Sequence, residues 1–201
     1  MQEISKRQQV INFVQENSLV RPRDLKKINL PQDYLHILAR EQIIERLGRG
    51  LYQWPGKNPG EFQSLVEVSK LAPKAIVTLL SALNFHRMTT QNPHEVWLAI
   101  DRKDWRPVIS YPPVRYVTMS SDALHEGVER HNIDNVVIQV FCPAKTVVDC
   151  FKYRNKIGLD VALEALRDGW SARKFTMDEL LKYAKICRVK KVMQPYLESL
   201  V

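Results

Sequence analysis

IIERLGRGLYQWPG, Ile43–Gly56, decides how the first third of this chain is read. Ile43 to Leu47 alternates apolar and polar residues, and so does Leu51 to Trp54, with Tyr52 and Trp54 on one face. Period-two alternation marks two half-buried strands. Only Gly48, Arg49 and Gly50 separate them, and Gly50 can take the positive φ that so short a hairpin loop requires. The glycines are explained by geometry. Arg49 at the tip, with Arg46 behind it, is not; it is either a solubilising residue or a contact with a polyanion.

Working back from the hairpin, residues 31–41 predict a helix with Leu35, Leu38 and Ala39 buried, and Asp33, His36, Ile37 and Arg40 opposite, flanked by Gln32. Pro22 suits the first turn of a short helix before it, packed through Leu25 and Ile28. Residues 4–17 predict another, with Ile4, Val10, Ile11 and Val14 on one side. Three helices and then a hairpin within about 56 residues is the order of a winged helix-turn-helix, which lays its third helix in the DNA major groove. On that reading Gln32, His36 and Arg40 face base edges. Arg21, Arg23, Arg46 and Arg49 meet phosphates or the minor groove. Asp33 on the reading face opposes it.

Charge supports a polyanionic partner. The chain has 201 residues and a formal net charge of +8. Residues 1–60 hold ten Lys/Arg against six Asp/Glu, residues 61–150 nine against ten, and residues 151–201 eleven against six. Both ends are basic. At 45% hydrophobic and 26% charged residues the composition is that of a globular protein. No apolar run approaches the roughly 20 residues of a membrane span. The start, Met-Gln-Glu, predicts no signal peptide, and three cysteines without CxxC spacing predict reduced thiols in the cytoplasm.

Trp54 to Phe62 carries Pro55-Gly56 and Pro59-Gly60, the clearest boundary in the chain. It divides residues 1–56 from a second domain, 61–201. There a helix follows Phe62, and Lys74 to Phe85 reads as one buried helix. Strands are expected at Val96–Ile100, Val108–Tyr111 and Val114–Met119. Gly127–Ile133 and Val136–Phe141 form a hairpin turning on Asp134-Asn135. Pro143 opens a helix, Leu159 to Leu166 is another, and Thr176 with Glu179 has capping-box spacing before Leu180, Tyr183, Ala184 and Cys187. The class is α+β. Lys182, Lys185, Arg188, Lys190 and Lys191 form a basic surface in the last helices, either a solvated face or a binding face.

No catalytic constellation stands out. GxxxxGK[ST] and GxGxxG are absent, and the histidines lack metal-ligand spacing. Ser81 reads as a packed serine. Glu95, Asp101 and Asp104 faintly suggest a metal-dependent nuclease. No catalytic residue, metal or cofactor is expected.

The order of segments resembles the AbiEi family of antitoxins from bacterial type IV toxin–antitoxin systems, which are also phage-defence loci. The likeness runs through ERLGRGLYQW (Glu45–Trp54), IVTLLSALNFH (Ile76–His86), Val117–Asp168 and Met177–Leu200. PAKTVVD (Pro143–Asp149) is its most specific part, with Lys145 where the family more often has arginine. The resemblance implies a winged helix-turn-helix joined to an antitoxin domain, with Arg46, Arg49 and Tyr52 carried over in the wing and Tyr52 serving as packing. It implies a repressor that binds inverted repeats in its own promoter and counteracts a nucleotidyltransferase-like toxin without a stable complex. The alternatives are a nuclease targeted by a winged helix and a stand-alone regulator that senses a ligand.

Overall fold

The computed structural model describes residues 4–56 and 60–200. Lys57, Asn58 and Pro59 of the expected linker, and the Met-Gln-Glu start, lie outside the described residues. The chain is a mixed α/β structure. Its first unit holds α1 (Lys6–Glu16), α2 (Pro22–Lys27), α3 (Asp33–Arg40), β1 (Glu45–Gly48) and β2 (Leu51–Gln53). Ser5 caps α1, its Oγ accepting from the Gln8 N–H at 3.3 Å, which satisfies one of the free amides at the helix start. Val10, Val14, Val20, Leu25, Leu35, Leu38, Ile44 and Tyr52 form a common core.

β1 and β2 are antiparallel, with Glu45 opposite Gln53 and Arg46 opposite Tyr52; an irregularity before Gly48 places it opposite Leu51. Only Arg49 and Gly50 connect the strands, one residue fewer than the sequence pattern suggests, and Gly50 takes φ +69°. On its other side β2 meets Val20: the Val20 N–H donates to the Tyr52 carbonyl at 2.8 Å and the Tyr52 N–H to the Val20 carbonyl at 3.0 Å.

The rest of the chain is built on a five-stranded sheet. α4 (Gln63–Leu71), β3 (Ile76–Val77), α5 (Leu79–Phe85), β4 (Val96–Asp101), β5 (Val114–Met119), α6 (Ser121–His125), β6 (Val128–Ile133) and β7 (Val136–Phe141) come first. α7 (Pro143–Lys152), α8 (Arg154–Ile157), α9 (Leu159–Ser171), α10 (Met177–Ile186) and α11 (Lys190–Glu198) follow. The strand order is β5-β4-β3-β7-β6. β4 and β5 are parallel, as are β3 and β7; β3–β4 and β6–β7 are antiparallel.

The expected helix from Lys74 to Phe85 begins only at Leu79, and a two-residue strand precedes it. Ile76-Val77 is the central strand, pairing with Ala99 and Leu98 on one side and, through Val77, with Val140 on the other. Two residues are too short a run to show a period, so the strand merges in sequence with the apolar helix after Thr78. Val108–Tyr111 is not a strand; residues 102–113 form an irregular connection whose Pro107 carbonyl accepts from the Tyr116 hydroxyl at 2.9 Å. The Asp134-Asn135 turn takes φ +52° and +60°, the left-handed pair that joins two strands with their native twist.

Strand alternation sends side chains to two cores. Trp97, Ala99, Val117, Met119 and Phe141 meet α7, α9, α10 and α11. Val96, Leu98, Ile100, Ile138 and Val140 meet α4. Leu19 and Leu51 of the first unit belong to this second cluster, so the two units share apolar packing.

Polar contacts reinforce that join, and Arg21 and Arg23 take part in them. Arg21 Nη1 donates to the carbonyls of Lys70 (2.8 Å) and Leu71 (3.2 Å), and Arg23 Nη2 to that of Lys70 at 3.0 Å. Both arginines therefore satisfy the free carbonyls at the C-terminus of α4, where the helix dipole favours a cation. Arg21 is half-buried in these contacts, while Arg23 stays exposed to solvent beside them. Lys70 Nζ pairs with Asp24 at 2.9 Å, the two side chains 18% and 15% exposed.

Burial alone would raise the Asp24 pKa, but hydrogen bonds from Lys70 and from the Arg21 N–H outweigh it and hold the carboxyl below its ordinary 3.8. A carboxylate depressed in the folded state stabilises it above the unfolded pKa and loses that contribution as pH falls through the folded one. Asp24→Asn should therefore be less stable than the parent at pH 7, and the gap should close below about pH 4. Urea unfolding of both at pH 7 and pH 3 checks this; a gap of equal size at both would remove the ion pair from the join.

Candidate nucleic-acid interface

The outward side of α3 and the tip of the hairpin form the first candidate surface. Leu35 and Leu38 point into the core, fixing the helix so that Asp33, His36, Ile37 and Arg40 face out, with Gln32 at its start. Ile37 is 43% exposed. Arg40 and Arg49 have no ion-pair partner among the described residues. Arg46 is exposed and its Nε donates to the Gly48 carbonyl at 3.2 Å, folding it along the hairpin. Arg7 of α1 pairs with Glu41 just beyond α3. Tyr52 is 5% exposed and packs in the core.

The second candidate, the basic tail, is gathered around the turn between α10 and α11. Thr176 and Glu179 make the expected capping box, and Leu180, Tyr183, Ala184 and Cys187 are buried. Lys182 is paired with Glu126 at 3.2 Å and lies over the Tyr183 ring. Lys185, Arg188, Lys190 and Lys191 are exposed and have no ion-pair partner among the described residues. Arg188 takes φ +60° in the left-handed position that ends α10. The tail therefore offers four free cations, one fewer than its sequence suggests.

PAKTVVD lies inside the molecule. Lys145 and Asp149, one helical turn apart on α7, are fully buried and joined at 2.5 Å. The Lys145 ammonium also lies 4.0 Å from the Phe141 ring centroid. The other Asp149 oxygen accepts from the Cys187 thiol at 3.4 Å, and the Thr146 hydroxyl donates to the Phe141 carbonyl at 3.0 Å. Gly127, at φ +73°, lets β6 begin against this helix; a Cβ there would sit 2.9 Å from Lys145 Cβ. Burial raises the Asp149 pKa, with Lys145 opposing. Burial and the Asp149 charge push the Cys187 thiol up to about 11. The most specific segment of the resemblance is thus buried from Ala144 to Asp149 and packs α7 against the start of β6 and the end of α10.

The carboxylates suggested for a nuclease do not converge. Glu95 precedes β4 and makes a two-pronged pair with Arg115 at 3.0 and 2.9 Å. Asp101 ends the same strand, about 20 Å away at 3.3 Å per residue. Among the described residues no group of three His, Cys, Asp or Glu side chains is placed to hold a metal. Ser81 is packed as expected, its Oγ accepting from the Trp97 N–H at 2.9 Å.

A third feature escaped the sequence reading. Near the ends of β4 and β5 lies an open cleft of about 1030 Å³. Its lining includes the largely buried Ile76, Met119 and Leu124, together with Val128, Arg102, Lys103 and Arg130. Its signal in the sequence is RKDWR, Arg102–Arg106, whose cations flank an aromatic.

No described helix is long and apolar enough to cross a membrane. No family model and no curated protein matches the chain.

Proposed function

We propose that the chain is a transcriptional repressor whose residues 1–56 form a winged helix-turn-helix, binding inverted repeats in its own promoter. Its second domain then counteracts a nucleotidyltransferase-like toxin. What carries the DNA-binding half is one arrangement: α3 held by Leu35 and Leu38 with His36 and Arg40 outward, beside a hairpin tipped by the unpaired Arg49. A helix so anchored can enter a major groove while the hairpin follows the backbone. The antitoxin half is supported by the resemblance through PAKTVVD and the last two helices, and by the four free cations of the tail.

The DNA-binding half is tested by titrating the protein with duplex from its own upstream region and with scrambled duplex. His36→Ala and Arg40→Ala should narrow the difference between the two, since a lost base contact costs about 1–3 kcal/mol of discrimination. Arg49→Ala should weaken both duplexes alike and reduce the salt slope by about one contact. Equal weakening of both duplexes by the α3 variants would take the reading role from that helix. For the antitoxin half, an adjacent nucleotidyltransferase gene is expressed alone and together with this chain; growth arrest that the chain fails to relieve refutes it.

A further inference from the structure

The geometry points to a binding site for single-stranded nucleic acid in the cleft at the ends of β4 and β5, separate from the α3 and hairpin surface. The site is independent of the repressor reading. The cleft's volume of about 1030 Å³ is at the upper limit of the roughly 300–1,000 Å³ usual for small-molecule pockets. A second hollow of about 390 Å³ adjoins it, sharing Pro73, Lys74 and Asp104 as a wall and reaching Trp105. The two adjoining hollows are open to solvent, which suits a segment of polymer better than an enclosed metabolite.

Two observations specify the polymer. The first is charge. Arg102, Lys103 and Arg130 border the cleft and Arg106 follows Trp105 in the same connection. None of the four has an ion-pair partner among the described residues. The nearby carboxylates are partly occupied: Asp101 accepts from the Lys103 N–H at 2.8 Å, and Asp104 faces Lys74 at 3.9 Å. The second is an indole held out in water. Trp105 is 80% exposed, against 4% for Trp97. An exposed ring beside unpaired cations offers a face on which a base can stack. Cations that follow a phosphate chain, with an aromatic ring for a base, are the components of single-strand recognition. A duplex keeps its bases stacked on one another, so it cannot use the ring. Gln139, whose Nε2 is held by the Pro73 carbonyl at 2.9 Å, keeps its amide oxygen to accept from a base edge within the cleft.

The test uses the full chain with fluorescein-labelled dT12 and rU12, followed by anisotropy over a range of salt. Binding of at least one oligomer is expected. Trp105→Ala should weaken it about fivefold or more, and Trp105→Phe should retain most of it, because stacking needs a ring and not an indole N–H. Arg102→Ala/Arg130→Ala should lower the salt slope, at about 0.7 for each lost phosphate contact. Binding of the upstream duplex should be unchanged in all three variants. The inference is overturned if neither oligomer binds, or if Trp105→Ala binds as the parent does. It is also overturned if Arg49→Ala abolishes single-strand binding, which would place it on the hairpin, or if a mononucleotide competes as well as dT12, which would make the cleft a small-ligand pocket. A protein partner covering Trp105 belongs with the first of these results. Circular dichroism confirms that each variant is folded.

Discussion

Lys145→Met should destabilise the protein by about 3–5 kcal/mol, and Asp149→Leu by a similar amount, because either leaves one charge buried without its partner. Asp149 in the first variant would face the Cys187 thiol as its remaining donor. In the second, the Lys145 ammonium would keep only the Phe141 ring. A domain of this kind has about 5–15 kcal/mol of stability in all, so either change takes a large share of it. The double variant Lys145→Met/Asp149→Leu should be far closer to the parent than either single. It removes both desolvation penalties and fills the same space with apolar atoms. Urea unfolding of all four proteins measures the coupling directly. Singles within about 0.5 kcal/mol of the parent would mean that water reaches the pair. A double equal to the sum of the singles would mean that the two charges act separately.

This pair also marks the limit of what the sequence disclosed. Lys145 and Asp149 stand at i and i+4, a spacing visible at once, but the same spacing occurs on any solvated helix. Their burial comes from Phe141, Gly127, Tyr183 and Cys187, brought in from β7, β6 and α10 and its end. Features whose cause is local were legible. Gly50 in the hairpin, Asp134-Asn135 in the turn and Thr176 with Glu179 at the start of α10 each follow from the φ or hydrogen bond their own residues require. Features whose cause is tertiary were not. Ile76-Val77 is a strand only because β4 and β7 lie on either side of it. Arg21 and Arg23 resemble phosphate ligands in any local view, and their bonds to the carbonyls at the end of α4 are visible only in the fold. For the candidate site, the outward face of α3 could be read because Leu35 and Leu38 fix its opposite side. The cleft could not, since its walls come from the connections after Ala72 and β4, and from α6, β6 and β7.

The same tertiary contacts change what the Pro-Gly linker is expected to do. From punctuation alone, residues 1–54 and 61–201 would fold independently, since few contacts cross such a boundary. The structure joins them through an apolar cluster and a set of charges. β2 is the junction. Tyr52 points into the core of the first unit, while Leu51, 2% exposed, packs in the cluster that contains Leu65, Val66 and Val68 of α4. Leu19 lies in the same cluster, and Arg21, Arg23 and the Asp24–Lys70 pair close its rim over the end of α4. Separated, the first unit would expose Leu19 and Leu51, and the cluster around α4 would lose the packing those two residues supply. Leu65→Ala should therefore cost about 2–5 kcal/mol, the usual range for a buried leucine. That loss should be felt in both units. Amides of α1 and α3, which Leu65 does not belong to, should lose hydrogen-exchange protection by nearly the same free energy as amides of β7, because one cooperative opening exposes them all. Exchange measured by mass spectrometry in the parent and in Leu65→Ala compares residues 4–40 with residues 128–141 directly. If protection falls in residues 128–141 and is unchanged in residues 4–40, the units open separately and the cluster at β2 is a passive contact. An equal fall in both means that the first unit is held in a fixed position on the sheet domain. In that case α3 and the hairpin reach DNA at an angle set by Leu51 and Arg21, and substitutions at these two residues alter DNA binding without touching it.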